Sequence, residues 1–261
     1  MEWIKSNLNL FKANFRKETI ELRRYLPNTI AMLLTVYIIF MAMFAGIHSV
    51  GAPGTVDATI QNTIVNYIFW YLTITIVNGQ GYEILTEATR GTFEQLGMSP
   101  SGIWRILSAR LLAQGILTAA MMIVLLYLSM LTTGQSLNVD FVTIIPIFLL
   151  TCISMFGLSF IIAGLTVIVK QIQAFLQIFQ FVLAALTFVS LSRAPFLVFF
   201  PITKGVDMIR AVMVEGLTLN ELGFSNFLVL TTNALVYFII GLATYLYCER
   251  YAMKKGLLAH Y

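Results

Sequence analysis

Cutting the chain at every Asp, Glu, Lys and Arg leaves six long uncharged runs, at 25–56, 58–82, 111–139, 141–169, 171–192 and 222–248. Each is at least as long as the roughly 20 apolar residues with which a helix crosses a bilayer core of about 30 Å. Only 11% of the residues are charged, against about 25% in an ordinary soluble domain. The pattern predicts an all-α membrane protein. Its six transmembrane helices are expected at 28–48, 59–80, 107–131, 141–168, 171–191 and 225–249, within a transmembrane domain over 28–249.

What is missing narrows the function. None of the lysines follows a glycine, so the Gly-Lys-[Ser/Thr] of a P-loop is absent and no ATPase site is expected on this chain. His48 and His260 are too far apart for a His-based zinc spacing, so neither a metal nor a cofactor is expected. Cys152 and Cys248 fall at different expected depths, which argues against a disulfide. The uncharged cores hold no ionisable residue of the kind that ion-coupled carriers and intramembrane enzymes bury for use, so no catalytic residue is assigned. No nucleic-acid partner is expected. The first apolar run begins only near residue 28, unlike a cleavable leader.

The sixteen Lys and Arg residues are distributed unevenly. With six spans, thirteen of them lie on the side of both termini, and Arg193, Lys204 and Arg210 lie on the other. The positive-inside bias places both termini in the cytoplasm of a multi-pass cell-membrane protein. Ahead of the first span, Ile4, Leu8, Phe11, Phe15, Leu22 and Tyr25 recur at helical steps, with Lys5, Lys12, Arg16 and Lys17 mostly off that line. Residues 1–27 therefore read as an amphipathic helix on the lipid surface, or as a soluble helix packed on a partner. Pro27 and Asn28 mark its turn into span one. A basic tail follows at 250–261.

Two segments outside the spans are large enough to do something: the cytoplasmic 81–107 and the external 192–224. In the first, Thr92 and Gln95 fit a capping box, so a short helix is expected from Phe93 with Glu94 in its first turn. Gly97 is expected to end it in a left-handed conformation, and Ser99 with Pro100 to start the helix that enters span three. By itself this is either a docking element or a stable surface turn.

Here the chain resembles the ABC-2 family of ABC-transporter permeases. Their loop between spans two and three carries acidic residues, then Gly-Thr-[Leu/Phe]-Glu-Gln-Leu, a proline and a helix. Glu87, Gly91, Thr92, Phe93, Glu94, Gln95, Leu96, Ser99 and Pro100 match. Ala88 and Arg90 depart from the pattern, so a charge pairing of the family at those two positions is not carried over. The basic ending from Glu249, and Pro201 through Asp207 and Arg210, are similar to weaker family patterns. The resemblance implies that residues 87–100 hold a coupling helix. It would dock on a separate P-loop ATPase subunit, which carries the ATP and Mg, while a second permease chain completes a homo- or heterodimer.

Two polar faces remain. Asn62, Asn66 and Thr73 share one face of span two beside Tyr67 and Tyr71, and Gln173, Gln177 and Gln180 share one in span five. They would line a translocation path or join helices through hydrogen bonds, and the resemblance implies the former. The external segment, about 193–216, is broken by Pro195 and Pro201. Ile202, Val206, Ile209 and Met213 then repeat at helical spacing opposite Lys204 and Asp207, which reads as a re-entrant helical pair gating the outer mouth or as a surface loop. Asp207 and Arg210, three apart, are placed to pair. Together these features point to the membrane subunit of an ATP-driven exporter of a hydrophobic or amphipathic solute, a drug, lipid-like molecule or glycan. A scaffold or sensor subunit, and a channel or secondary carrier, are the alternatives.

Overall fold

The computed structural model describes residues 2–50, 56–169 and 172–256, and every regular element among them is a helix. In chain order these are α1 (Glu2–Arg24), α2 (Leu26–Val50), α3 (Val56–Thr89), α4 (Phe93–Gly97), α5 (Ile103–Thr133), α6 (Phe141–Val169) and α7 (Gln173–Phe188). A 3-10 turn (Pro195–Phe199), α8 (Thr203–Glu215) and α9 (Phe224–Lys254) complete the set. Gly51, Pro53 and Gly54 of the first short loop, Lys170, the Ile4 side chain and the tail beyond Gly256 lie outside the described residues.

Four helices, α2, α5, α6 and α9, are long and apolar enough to cross a membrane. The chain has the character of an all-α membrane protein. The other two expected spans deviate for different reasons. At 34 residues, α3 is long enough, but Gln61, Asn62, Asn66, Asn78 and Gln80 keep it out of that apolar set. α7 has 16 residues, about 24 Å of helix, and stops short of the expected residue 191. Val189 turns extended, and the Ser190 hydroxyl accepts the Ser192 N–H while its carbonyl accepts that of Ala194, a local bonding pattern that competes with helix.

Among the described residues the most extensive contact between two helices joins α6 to α9. Gly157 and Gly164 face Tyr237, Gly241, Tyr245 and Cys248 in the same chain order, so the two helices run parallel. A Cβ on Gly241 would lie 2.0 Å from the Gly157 carbonyl oxygen. Backbones approach this closely only where side chains are absent, the small-residue contact that holds helices together when lipid supplies no hydrophobic drive. Phe160 then packs on Phe238 and Tyr245. Cys152 and Cys248 are both buried and free.

Against this pair lies α3, buried around most of its middle. Ser159 Oγ donates to the Ile76 carbonyl at 2.9 Å, and Tyr67 Oη donates to the Val36 carbonyl of α2 at 2.6 Å. α2 inserts Phe40, 1% exposed, beside Tyr67, and otherwise presents an apolar surface outward. The covered face of α1 is mixed, with Asn7, Phe11, Asn14, Phe15 and Leu22 buried or half-buried, and Asn7 Oδ1 accepts from Arg105 Nε of α5 at 3.0 Å. Leu8, Ile20 and Tyr25 stay exposed.

In the segment 193–216 the 3-10 turn leads through Pro201 to α8; Ile202 just before α8 and Val206, Ile209 and Met213 on it are all buried. The joint is strained: Ile202, a β-branched residue, has φ 78 and ψ −46, and the Thr203 N–H donates to the Pro201 carbonyl at 2.9 Å. Such γ-turns at positive φ are rare and cost about 1–3 kcal/mol. Full burial of the Ile202 side chain at 2% exposure offsets part of that. Asn138, before α6, donates its N–H to the Met213 carbonyl, which ties α8 to the end of the bundle opposite α4.

Candidate functional site

At the α4 end, three helices meet on one guanidinium. Glu83 and Glu87, four apart on one face of α3, accept from Arg110 of α5: Nη1 reaches Glu83 Oε2 at 3.0 Å and Nη2 reaches Glu87 Oε1 at 2.9 Å. Lys17 of α1 lies 3.8 Å from Glu83 and 3.9 Å from Glu21. The Arg110 side chain is 8% exposed, so its charge is stabilised by the two carboxylates rather than by water. Arg110 immediately precedes the uncharged run 111–139 and lies inside the expected span three, 107–131. Glu87 turns its other oxygen and its carbonyl to the Thr92 hydroxyl. Burial alone would raise the Glu87 carboxyl, but the Thr92 hydroxyl and the Arg110 guanidinium outweigh it and hold it below the usual carboxylate range. Glu18, on α1, is pushed up, first by burial and then by Glu83.

The loop that follows keeps its expected helix but not its expected caps. α4 does start at Phe93, yet Thr92 makes no side-chain cap, because its hydroxyl is committed to Glu87. The left-handed glycine is Gly91, at φ 71, not Gly97. Gly91 N–H bonds the Ala88 carbonyl and Thr92 N–H bonds that of Glu87, which is a Schellman ending for α3. α4 runs to Gly97 with Met98 in right-handed geometry behind it. Ser99 and Pro100 do not begin the next helix. They form a turn closed by Gly102 N–H on the Ser99 carbonyl, and α5 starts at Ile103 behind Gly102 at φ 74. Phe93, 3% exposed, anchors α4 to the body, and Leu96 is half-buried. Glu94, Gln95 and Pro100 are exposed, as is Met98 at 74%. The loop thus offers a short outward face on a fixed root.

A cavity of about 690 Å³ opens beside this cluster along α3, from Tyr71 to Glu87, with Lys17, Glu21, Tyr25, Met32, Arg90, Gln114 and Gln180 on its other walls. Of the expected path residues it gathers two, Tyr71 and Gln180. Asn66 and Tyr67 instead bind helices together, and Asn62 Nδ2 donates back to the Ala58 carbonyl. Thr73 is buried against the core, while Gln173 and Gln177 face outward from α7. The polar faces therefore divide between joining helices and lining a cavity.

At the opposite end Asp207 and Arg210 do pair, at 3.6 Å. Arg210 also donates to Asn66 Oδ1 from Nη2 at 2.9 Å and from Nε at 3.2 Å, and weakly to the Thr187 carbonyl at 3.4 Å. One side chain of α8 thereby joins a gate candidate to α3 and α7. Pro201 is buried at the strained joint before it.

Glu83 and Arg110, 27 residues apart, were not singled out from the sequence as site residues, and Asn66 and Arg210, 144 apart, were singled out but not as partners. The available signal was Arg110 falling inside a span boundary, with Glu83 and Glu87 at i, i+4 on the preceding helix. No protein-family model matches the chain, and neither the curated proteins nor the solved structures give a significant match.

Proposed function

We propose that the chain is the permease subunit of an ATP-driven exporter of the ABC-2 type. All six uncharged runs span the cell membrane, with α3 and α7 as spans two and five and both termini in the cytoplasm. In that orientation α1 lies along the cytoplasmic lipid interface. The observation that carries the reading is α4. A five-residue helix, rooted by Phe93 and tied through Thr92 and Glu87 to the Arg110 cluster, is built to pass a push at its outer face into α1, α3 and α5. ATP and Mg belong to a separate P-loop ATPase that grips this face, and a second permease chain faces the first. Closure of the ATPases would shift the loop, alter access to the cavity along α3, and release an amphipathic solute past Arg210 and α8 on the far side.

The contact is expected at Glu94, Gln95 and Met98, since Leu96 is half-buried. A Glu94→Ala/Met98→Ala variant should keep its thermal stability and membrane insertion while losing at least tenfold in transport and in stimulation of the partner's hydrolysis. Unchanged transport by a correctly inserted double variant would refute α4 as the coupling element. A scaffold or channel, by contrast, would show no dependence on nucleotide at all.

A further inference from the structure

α5 and α6 both pack on α3, yet among the described residues they hardly touch each other. Between them lies a cavity of about 350 Å³, separate from the one beside Glu83 and Glu87. Its floor is α3, where Phe69 meets Phe148 of α6 edge to face, with 6.3 Å between ring centres. Ile209 and Met213 of α8 close one end. The bond of 2.9 Å from the Asn138 N–H to the Met213 carbonyl fixes that end against the lead-in to α6. The open side lies at Ile123 of α5 and at Phe141 and Ile145 of α6, each about half exposed.

The chemistry of the walls narrows what can fill this gap. Every side chain that lines it is apolar. Water needs polar partners to be held in such a space, and a peptide segment would leave its backbone N–H and C=O groups unpaired there. Left empty, the gap forfeits the dispersion contacts of its walls. α5 and α6 are each long and apolar enough to cross a membrane, so the mouth between them opens onto lipid hydrocarbon. A lipid tail has no water to shed on entering, so its retention rests on shape and packing, as between helices in a bilayer.

We propose that an acyl chain of a bilayer phospholipid inserts between α5 and α6 and packs on α3 and α8. The chain supports α8 at Ile209 and Met213, while Arg210 ties the same helix to Asn66. The inference needs α5 and α6 in a membrane, and neither an ATPase nor a transported solute. The test is photo-cross-linking of the full chain in nanodiscs of phosphatidylcholine that carries a diazirine partway along one acyl chain, with adducts located by peptide mass spectrometry. Met122 and Met213 line the cavity at 6% and 5% exposure. They should be labelled as strongly as Ile38, an outward residue of α2 at 63% exposure. Ala119→Trp, which fills the cavity from α5, should cut labelling of both methionines at least fivefold and leave Ile38 unchanged. Ile123→Trp, at the exposed lip, should do the same without placing an indole in a packed position. Labelling confined to Ile123, Phe141 and Ile145, or labelling of the methionines that survives both tryptophans, would overturn the site. So would a chain with no cavity residue labelled, the result expected if a second copy covers the mouth.

Discussion

Leucine in place of Gly241 is expected to destroy most of the folded protein. The cause is backbone against backbone. The new Cβ would sit 2.0 Å from the Gly157 carbonyl oxygen, and the reciprocal Cβ on Gly157 would sit 2.3 Å from that of Tyr237. Neither neighbour is a side chain that can rotate away, so α6 and α9 would have to separate, pulling Phe160 off Phe238 and Tyr245. The cost should reach or exceed about 3 kcal/mol, the upper end for overpacked cores. Gly46→Leu is the control: nothing lies within 4 Å of its Cβ position, and a shift within about 0.5 kcal/mol is expected there. Thermal unfolding followed by size exclusion of detergent-extracted protein measures both. A Gly241→Leu protein that melts like its parent would mean that the two helices do not touch through these glycines.

Arg110→Met should be nearly as damaging, for an electrostatic reason. It leaves Lys17 on Glu83 as the one remaining ion pair of the two carboxylates among the described residues, and breaking a buried pair from one side costs about 3–5 kcal/mol. Arg110→Lys should recover little, because an ammonium cannot span two carboxylates with the fixed fork that the guanidinium provides. The triple variant Glu83→Gln/Glu87→Gln/Arg110→Met should recover much of the loss, since it removes both signs together. The penalty also has a pH signature. Glu87 is held below its ordinary pKa in the folded chain, so its contribution is complete above the usual carboxylate range and is lost as pH falls through the lowered value. The stability gap between parent and Arg110→Met should therefore narrow at acid pH. A gap that is constant or widens on acidification would show that the cluster does not hold Glu87 ionised.

The helices were legible because a missing charge over a whole run is a local signal. α2, α5, α6 and α9 follow the expected spans 28–48, 107–131, 141–168 and 225–249 to within five residues at each end. α4 was legible for a partly mistaken reason. Its start at Phe93 is right, but Thr92 had two possible partners, its own helix and Glu87, and no spacing rule weighs a local cap against an ion-pair cluster that forms only when α5 packs. The left-handed residue is Gly91 rather than Gly97, and α5 starts at Ile103 rather than at Pro100. Asp207 with Arg210 was readable because both lie on one helix turn. Asn66 with Arg210 was not, because tertiary packing alone brings α8 onto α3. The separation of Tyr71 and Gln180 from Gln173 and Gln177 likewise depends on which neighbour covers each face.

The central claim is that this chain moves its solute through a motor on another polypeptide, gripped at α4. The most direct measurement is nucleotide hydrolysis by a P-loop ATPase purified with the chain from its native membrane, compared with the same ATPase alone, with a Met98→Cys permease providing a cross-linking site. The account predicts that hydrolysis rises several-fold in the complex, and that the Met98→Cys cross-link forms to the ATPase and abolishes the rise. A chain that purifies without any ATPase, or an ATPase whose rate ignores both the permease and the cross-link, would contradict it.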